Sequence, residues 1–115
     1  MGTLYVVATP IGNLGDLTPR AVETLRGVAL IAAEDTRHSG SLLKAFDIAT
    51  PMLSYHHHNR KQREERLLEA LAAGDVALIS DAGTPGIADP GREIAEAARQ
   101  AGHRVVPIPG ASSLV

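Results

Sequence analysis

Five short apolar runs punctuate the chain: Leu4–Ala8, Val28–Ala33, Met52–Tyr55, Val76–Ser80 and Arg104–Ile108. Most are rich in Val, Ile or Leu and show little alternation with polar residues, the pattern of strands buried on both faces of a parallel sheet. Helical patterns fill the gaps. Thr18 is placed to cap a helix with Pro19 at its first position, Ala21, Val22 and Leu25 on its inner face and Gly27 as its stop. A short helix is expected from about Ser39 to Phe46, through Leu42 and Leu43. Asn59 and Gln62 have capping-box spacing ahead of a helix that buries Leu67, Leu68 and Leu71 and ends at Gly74. Asp89-Pro90 opens a last helix with Ile94, Ala97, Ala98 and Ala101 on its face and Gly102 at its end. The order β-α-β-α-β-α-β-α-β predicts an α/β domain: a doubly wound five-stranded parallel sheet flanked by helices.

Composition narrows the chemistry. The 115 residues amount to one domain. The aromatics are Tyr5, Phe46 and Tyr55, so the core rests on Val, Ile, Leu and Ala, and an exposed-ring platform for stacking bases is not expected. The net charge is −2 and the pI about 6.2. A domain-wide nucleic-acid footprint would carry a pI above ~9, which leaves room only for a local patch. The absence of cysteine removes disulfides, thiolate catalysis and Cys-ligated zinc. No apolar run is long enough to span a membrane, and no charged segment precedes an apolar stretch at the start, so a cytoplasmic protein without membrane partners is expected.

Open parallel sheets bind ligands beyond the carboxyl ends of their strands. Unusual residues gather behind those ends: Thr9-Pro10-Ile11-Gly12-Asn13-Leu14-Gly15-Asp16, Glu34-Asp35-Thr36-Arg37-His38-Ser39, His56-His57-His58-Asn59, the segment from Asp81 to Gly91, and Pro109-Gly110-Ala111-Ser112-Ser113. The turns expected at the opposite rim, Arg26-Gly27, Ala73-Gly74-Asp75 and Gly102-His103, are plainer. In the Asp81–Gly91 segment three glycines permit close backbone approach to a ligand, and Pro85 and Pro90 stiffen it. The first loop has neither GxGxxG nor a Lys followed by Ser or Thr, so a ligand without phosphates fits it better than a nucleotide.

Glu34, Asp35 and Arg37 combine carboxylates with a guanidinium at a strand end. They suit acid–base work, and equally a local ion pair or a cap on the next helix. Adjacent histidines on an extended chain point to alternate faces, so His56-His57-His58 do not readily share one metal ion, and no metal site is expected. Arg60, Lys61, Arg63 and Arg66 could meet phosphates, but Glu64 and Glu65 dilute the patch, and a solvated helix face explains it as simply.

Four ordered segments carry a resemblance. They are Leu4-Tyr5-Val6-Val7-Ala8-Thr9-Pro10-Ile11-Gly12-Asn13-Leu14, Ile31-Ala32-Ala33-Glu34-Asp35-Thr36-Arg37, Ser80 to Gly91, and Pro109-Gly110-Ala111-Ser112. Together they resemble the tetrapyrrole-methylase superfamily and, within it, the family of small-subunit ribosomal RNA ribose-2′-O-methyltransferases I. The resemblance covers residues 1–115 as the family's N-terminal domain, and implies a second domain beyond it. It implies S-adenosylmethionine as cofactor, a cytidine ribose of small-subunit ribosomal RNA or the ribosomal subunit as substrate, and a homodimer. Carried over by motif, Pro10, Asp81, Ala82, Gly83, Gly86, Ile87, Ser112 and Ser113 would contact the cofactor. Asp35 or Glu34 would act as base, Arg37 would stabilise the anion, and Asn13 and His56 would meet the substrate. A tetrapyrrole methyltransferase domain, a small-ligand binding module without chemistry, and, weakest, an NAD-binding domain are the alternatives.

Overall fold

The computed structural model describes residues 2–9, 17–55, 59–81 and 90–108, with 8, 9, 80, 81 and 90–92 described at the backbone only. The elements are β1 (Thr3–Thr9), α1 (Pro19–Gly27), β2 (Leu30–Ala33), α2 (Thr36–Ala45), β3 (Met52–Ser54), α3 (Arg60–Ala73), β4 (Val76–Asp81), α4 (Pro90–Gln100) and β5 (Arg104–Ile108). The strands form one sheet in the order β3-β2-β4-β1-β5, and every pairing is parallel. All the expected strands and helices are present.

Strand order dictates where the helices lie. The chain moves toward the β3 edge through α1 and α2, then reverses toward the β5 edge through α3 and α4. Crossovers of one hand that travel in opposite directions put their helices on opposite faces. The core divides accordingly. Ala21 and Leu25 of α1 and Leu42 and Leu43 of α2 pack with Val7, Ile31, Ala33, Ala77 and Ile79. Leu67 and Leu71 of α3 and Ile94, Ala95 and Ala98 of α4 pack with Leu4, Leu30, Ala32, Val76 and Leu78. Alternate residues of each central strand thus serve opposite layers, which is why β2 is buried at all four positions and lacks polar alternation. The outer strands are partly exposed: β3 along its whole length, and β5 with Pro107 in contact with water. An edge strand tolerates the N–H that Pro107 lacks.

Local chemistry corrects four sequence expectations. Thr18 Oγ1 accepts from Ala21 N at 3.1 Å with Pro19 at the first helical position, as expected, but Val28 is the C-cap of α1 and β2 begins only at Leu30. Helix α2 begins at Thr36, three residues before Ser39, because Asp35 caps it; Ser39 is buried inside it. Asn59 is at the N-cap position of α3 yet makes no side-chain cap bond, so the capping box with Gln62 does not form. Ala101 lies beyond α4 in an exposed turn, because Gly102 adopts φ 94° and His103 N–H returns to Ala98 O.

The amino-terminal rim of the sheet is closed by backbone. Gly2 N–H donates to Leu71 O at 2.7 Å, and Thr3 N–H donates to Asp75 Oδ1 at 2.8 Å. Buried His103 places Nδ1 3.2 Å from Gly2 O, so this ring nitrogen carries the proton and donates. A Cβ on Gly2 would stand 1.7 Å from Gly74 O, so only glycine fits. This rim spends its polar groups on itself.

Candidate functional site

An all-parallel sheet ends every strand at one rim, so Thr9, Ala33, Ser54, Asp81 and Ile108 share the carboxyl edge. Register ranks them by height. Thr9 and Asp81 are partners at the ends of β1 and β4. Ala33 is level with Ile79 of β4 and with Ser54 of β3. Two positions beyond that pair come Asp35 on one side and Asp81 on the other. The strands β1 and β4 are neighbours, yet one leads to α1 and the other to α4, on opposite sheet faces. Their carboxyl ends therefore flank a topological switch point, the crevice where open α/β sheets take ligands.

Among the residues expected to act, Glu34, Asp35 and Arg37 are described in full and all three are exposed. Asp35 Oδ1 accepts from Arg37 N and His38 N at 3.1 Å each. Of the roles the sequence left open, the helix cap is realised. No Glu34–Arg37 or Asp35–Arg37 side-chain ion pair occurs among the described residues. The cap fixes the Asp35 carboxylate against the positive end of α2, with Glu34 immediately before it at the end of β2. Asp81 is placed by its backbone at the end of β4. Pro10, Asn13, His56, Ala82, Gly83, Gly86, Ile87, Ser112 and Ser113 lie outside the described residues.

None of the three aromatic rings is exposed: Tyr55 is 1% accessible, and Tyr5 and Phe46 pack partly buried against the core. Among the described residues no group of three His, Asp or Glu could hold a metal ion. No described helix is long and apolar enough to cross a membrane.

Two contacts at this rim were not legible in the sequence. Asn59 Nδ2 donates to Ser54 Oγ at 3.0 Å and lies 3.4 Å from Ser54 O, tying the start of α3 to the end of β3. Arg60 Nε sits 2.7 Å from Glu93 Oε2 and joins α3 to α4. Lys61, Arg63 and Arg66 make no ion pair with the described residues.

A doubly wound parallel sheet whose neighbouring strands β1 and β4 lead to helices on opposite faces defines a class, the ligand-binding α/β domains that work from the carboxyl rim of their strands. Within that class, residues 3–115 match the model of the Tetrapyrrole (Corrin/Porphyrin) Methylases, and the chain belongs to that family. It is 64% identical over 116 residues to the ribosomal RNA small subunit methyltransferase I of Synechocystis sp., covering 100% of this chain and 42% of that protein. It is 56% identical over 115 residues to the protein of the same name from Pseudomonas aeruginosa, covering 99% of this chain and 41% of that one. The chain thus spans about two-fifths of the length of these relatives. Among solved structures it resembles a uroporphyrin-III-C-methyltransferase from Thermus thermophilus, with TM-score 0.72 and 25% identity over 97% of this chain and 49% of that one. It also resembles a diphthine synthase, with TM-score 0.68 and 18% identity over 94% and 45%. The second likeness concerns the fold alone.

Proposed function

We propose that this chain is the N-terminal domain of an S-adenosylmethionine-dependent methyltransferase acting on the ribose 2′-hydroxyl of a cytidine in small-subunit ribosomal RNA. The observation that carries this reading is 64% and 56% identity, over essentially the whole chain, to two proteins named ribosomal RNA small subunit methyltransferase I. The same reading makes the protein a cytoplasmic homodimer with a second domain, and the ribosomal subunit its partner.

The residues suit this cofactor. It has no phosphate, and the first loop lacks both phosphate-binding patterns. The pairing of Thr9 with Asp81 sets the backbone ends of β1 and β4 side by side at the switch point. Asp81, Ala82, Gly83, Gly86 and Ile87 would hold the cofactor from the segment after β4, Pro10 from the first loop, and Ser112 and Ser113 from the segment after β5. When bound, the cofactor supplies a methyl group on a sulfonium that leaves as a neutral thioether.

The chain's own part is to bring a hydroxyl oxygen to about 3–3.5 Å from that carbon, in line with the leaving sulfur. A ribose hydroxyl is a weak acid, so a carboxylate that takes its proton as the new C–O bond forms assists the transfer. Asp35, held by its two backbone donors, and Glu34 beside it are the groups for this task. Arg37 steadies the charge developing on oxygen, and Asn13 and His56 contact the acceptor. Lys61, Arg63 and Arg66 supply cations for flanking phosphates at the same rim, a local patch in a chain of near-neutral charge.

The test uses an enzyme of the relatives' full length with labelled S-adenosylmethionine, naked ribosomal RNA and assembled small subunits. The expected result is label at one cytidine and resistance of the adjoining phosphodiester to alkali, because 2′-O-methylation removes the attacking hydroxyl. No incorporation into either substrate would overturn the reading.

A further inference from the structure

We infer that the β3 edge of the domain is a docking surface for the phosphate backbone of RNA, with Ser41 and Lys44 of α2 as contacts beyond the acceptor site. This rests on the function proposed above.

The signs of charge are unevenly placed. Helix α2, strand β3, the turn between them and the first turn of α3 hold Arg37, Lys44, Arg60, Lys61 and Arg63 against one acid, Asp47. That is +4 in a chain whose total is −2, so everything else sums to −6 with histidine neutral. Near-neutral overall charge thus covers one basic edge, and such asymmetry is the footprint of a polyanion partner. The fold gathers these residues. β3 is an edge strand, half-buried along its length, with α2 on one sheet face and α3 on the other. α2 lies close over β3, since a Cβ on Gly40 would stand 3.5 Å from Met52 Cε. Both helices begin at the carboxyl rim with cations and no acid in the first turn, whereas α4, which leads to the far edge, has Glu93 there. Cations at a helix start oppose the macrodipole, so helix stability does not account for them. Ala33 pairs with Ser54, so this edge adjoins the strand that leads to Glu34 and Asp35, the groups assigned to the hydroxyl.

Helix α2 buries Ser39, Leu42 and Leu43 and turns Arg37, Ser41 and Lys44 to solvent on the opposite side. Spacings of four and three residues put these three in one row, with about 10 Å of helix between Arg37 and Lys44. A solvated helix face ordinarily mixes both signs, but α2 has no acid in any of its positions. Arg37 and Lys44 make no ion pair with the described residues, and exposed Asp47 does not pair with Lys44. Gly40 and Ser41 keep the middle of the row low, so a phosphodiester backbone can lie against it, with the Ser41 hydroxyl as a donor between two cations. Across the edge, Arg63 stands one turn before buried Leu67, and its Nε is shut off from solvent without a hydrogen-bond partner. A guanidinium stays charged, so an N–H buried without an acceptor is costly, and an anion supplied from outside satisfies it. Arg60 differs, because Glu93 already meets it at 2.7 Å.

The test uses the full-length enzyme with ribosomal RNA and measures binding across a salt series together with methyl transfer. Lys44→Gln removes a cation from the row, and Ser41→Glu places an anion in it. Both positions are exposed and glutamate is a good helix former, so the melting temperature should stay near wild type. Lys44→Gln should lower RNA affinity about threefold and flatten the slope of log affinity against log salt by about 0.7. Ser41→Glu should lower affinity at least about tenfold, because it sets a like charge against the phosphates. Both should raise KM for RNA and leave kcat and KM for S-adenosylmethionine as in wild type. Arg104→Gln removes an exposed cation from β5, the opposite edge strand, and should change neither affinity nor slope. Wild-type affinity and slope in both α2 variants would overturn the inference, as would an equal loss in Arg104→Gln, which would reduce the effect to net charge. A wild-type enzyme that binds ribosomal RNA but transfers no methyl group would overturn the functional reading instead, while the salt slopes would still decide whether the docking surface exists.

Discussion

Asp35 and Asp81 each lie two residues along the chain beyond the Ala33–Ile79 pair, where β2 ends and β4 continues. One caps α2 and the other ends β4. Read as base and cofactor contact, they put acceptor and methyl donor behind the neighbouring strands β2 and β4. Asp35 is also structural, so Asp35→Ala would mix two effects. Asp35→Asn separates them, because asparagine caps as well as aspartate but cannot take a proton. The expected result is an unchanged melting temperature, unchanged affinity for S-adenosylmethionine and a turnover lowered about 10²-fold or more. Wild-type turnover would leave Asp35 as a cap only and pass the base role to Glu34.

Gly2→Ala tests the opposite rim. The added Cβ would lie 1.7 Å from Gly74 O, a backbone atom that cannot rotate away, so the start of β1 must shift. That shift strains the bonds from Gly2 N–H to Leu71 O and from Thr3 N–H to Asp75 Oδ1. Denaturant unfolding should show a loss of about 1–3 kcal/mol, the range for overpacking. A loss below about 0.5 kcal/mol would mean that the first strand adjusts freely.

The two contacts between α3 and its surroundings should differ in strength. Leu67 is fully buried in the layer shared with α4, and Leu67→Ala should cost about 2–5 kcal/mol. The Arg60–Glu93 pair is short, but its side chains are 26% and 48% exposed, so Glu93→Gln should cost less than about 1 kcal/mol and less still in high salt. Chemical denaturation of both variants at two ionic strengths checks the order. An ion pair worth as much as the leucine would show that α4 docks chiefly by charge.

The layers were legible in the sequence because burial on both faces leaves a local trace. The apolar runs in β2 and β4 have no polar alternation, as expected of strands covered on both faces, and their shortness argues against a buried helix. Thr18-Pro19 likewise announced α1 through chemistry confined to adjacent residues. The reading stayed open, or failed, where a side chain had a choice. Asp35 reads equally as acid, ion-pair partner or cap, and the cap shows only once the position of α2 is known. Asn59 matched a capping box by spacing, but its amide found Ser54 across a segment whose ends meet only in the fold. The pairing of Ala33 with Ile79, which sets the ends of β2 and β4 side by side, comes from strand register, which joins residues 46 apart and leaves no periodic signal.

Gly83→Val tests the cofactor side. Gly83 belongs to the segment after β4 that the family resemblance assigns to S-adenosylmethionine, where a branched side chain would occupy space needed by a ligand close to backbone. Calorimetric titration of the full-length enzyme with S-adenosylhomocysteine should show affinity lowered at least about tenfold. The melting temperature without ligand should stay near wild type. Unchanged affinity would move the cofactor to another part of the rim.

The cations of α3 give the last prediction. Lys61 and Arg66 are exposed and unpaired among the described residues, so neutralising them removes charge without breaking a described contact. If they meet RNA phosphates, each contact releases counterions, and binding weakens with salt in proportion to the contacts made, with a slope of about 0.7 per phosphate on single strands. Lys61→Gln/Arg66→Gln should therefore weaken RNA binding at every sequence tested and flatten the plot of log affinity against log salt by about 1.4. Arg99→Gln in the last turn of α4 changes charge at the opposite rim and should leave the slope as it is. Equal slopes for wild type and the α3 variant would identify Lys61 and Arg66 as a solvated helix face, and the phosphate contacts would then have to come from elsewhere in the enzyme.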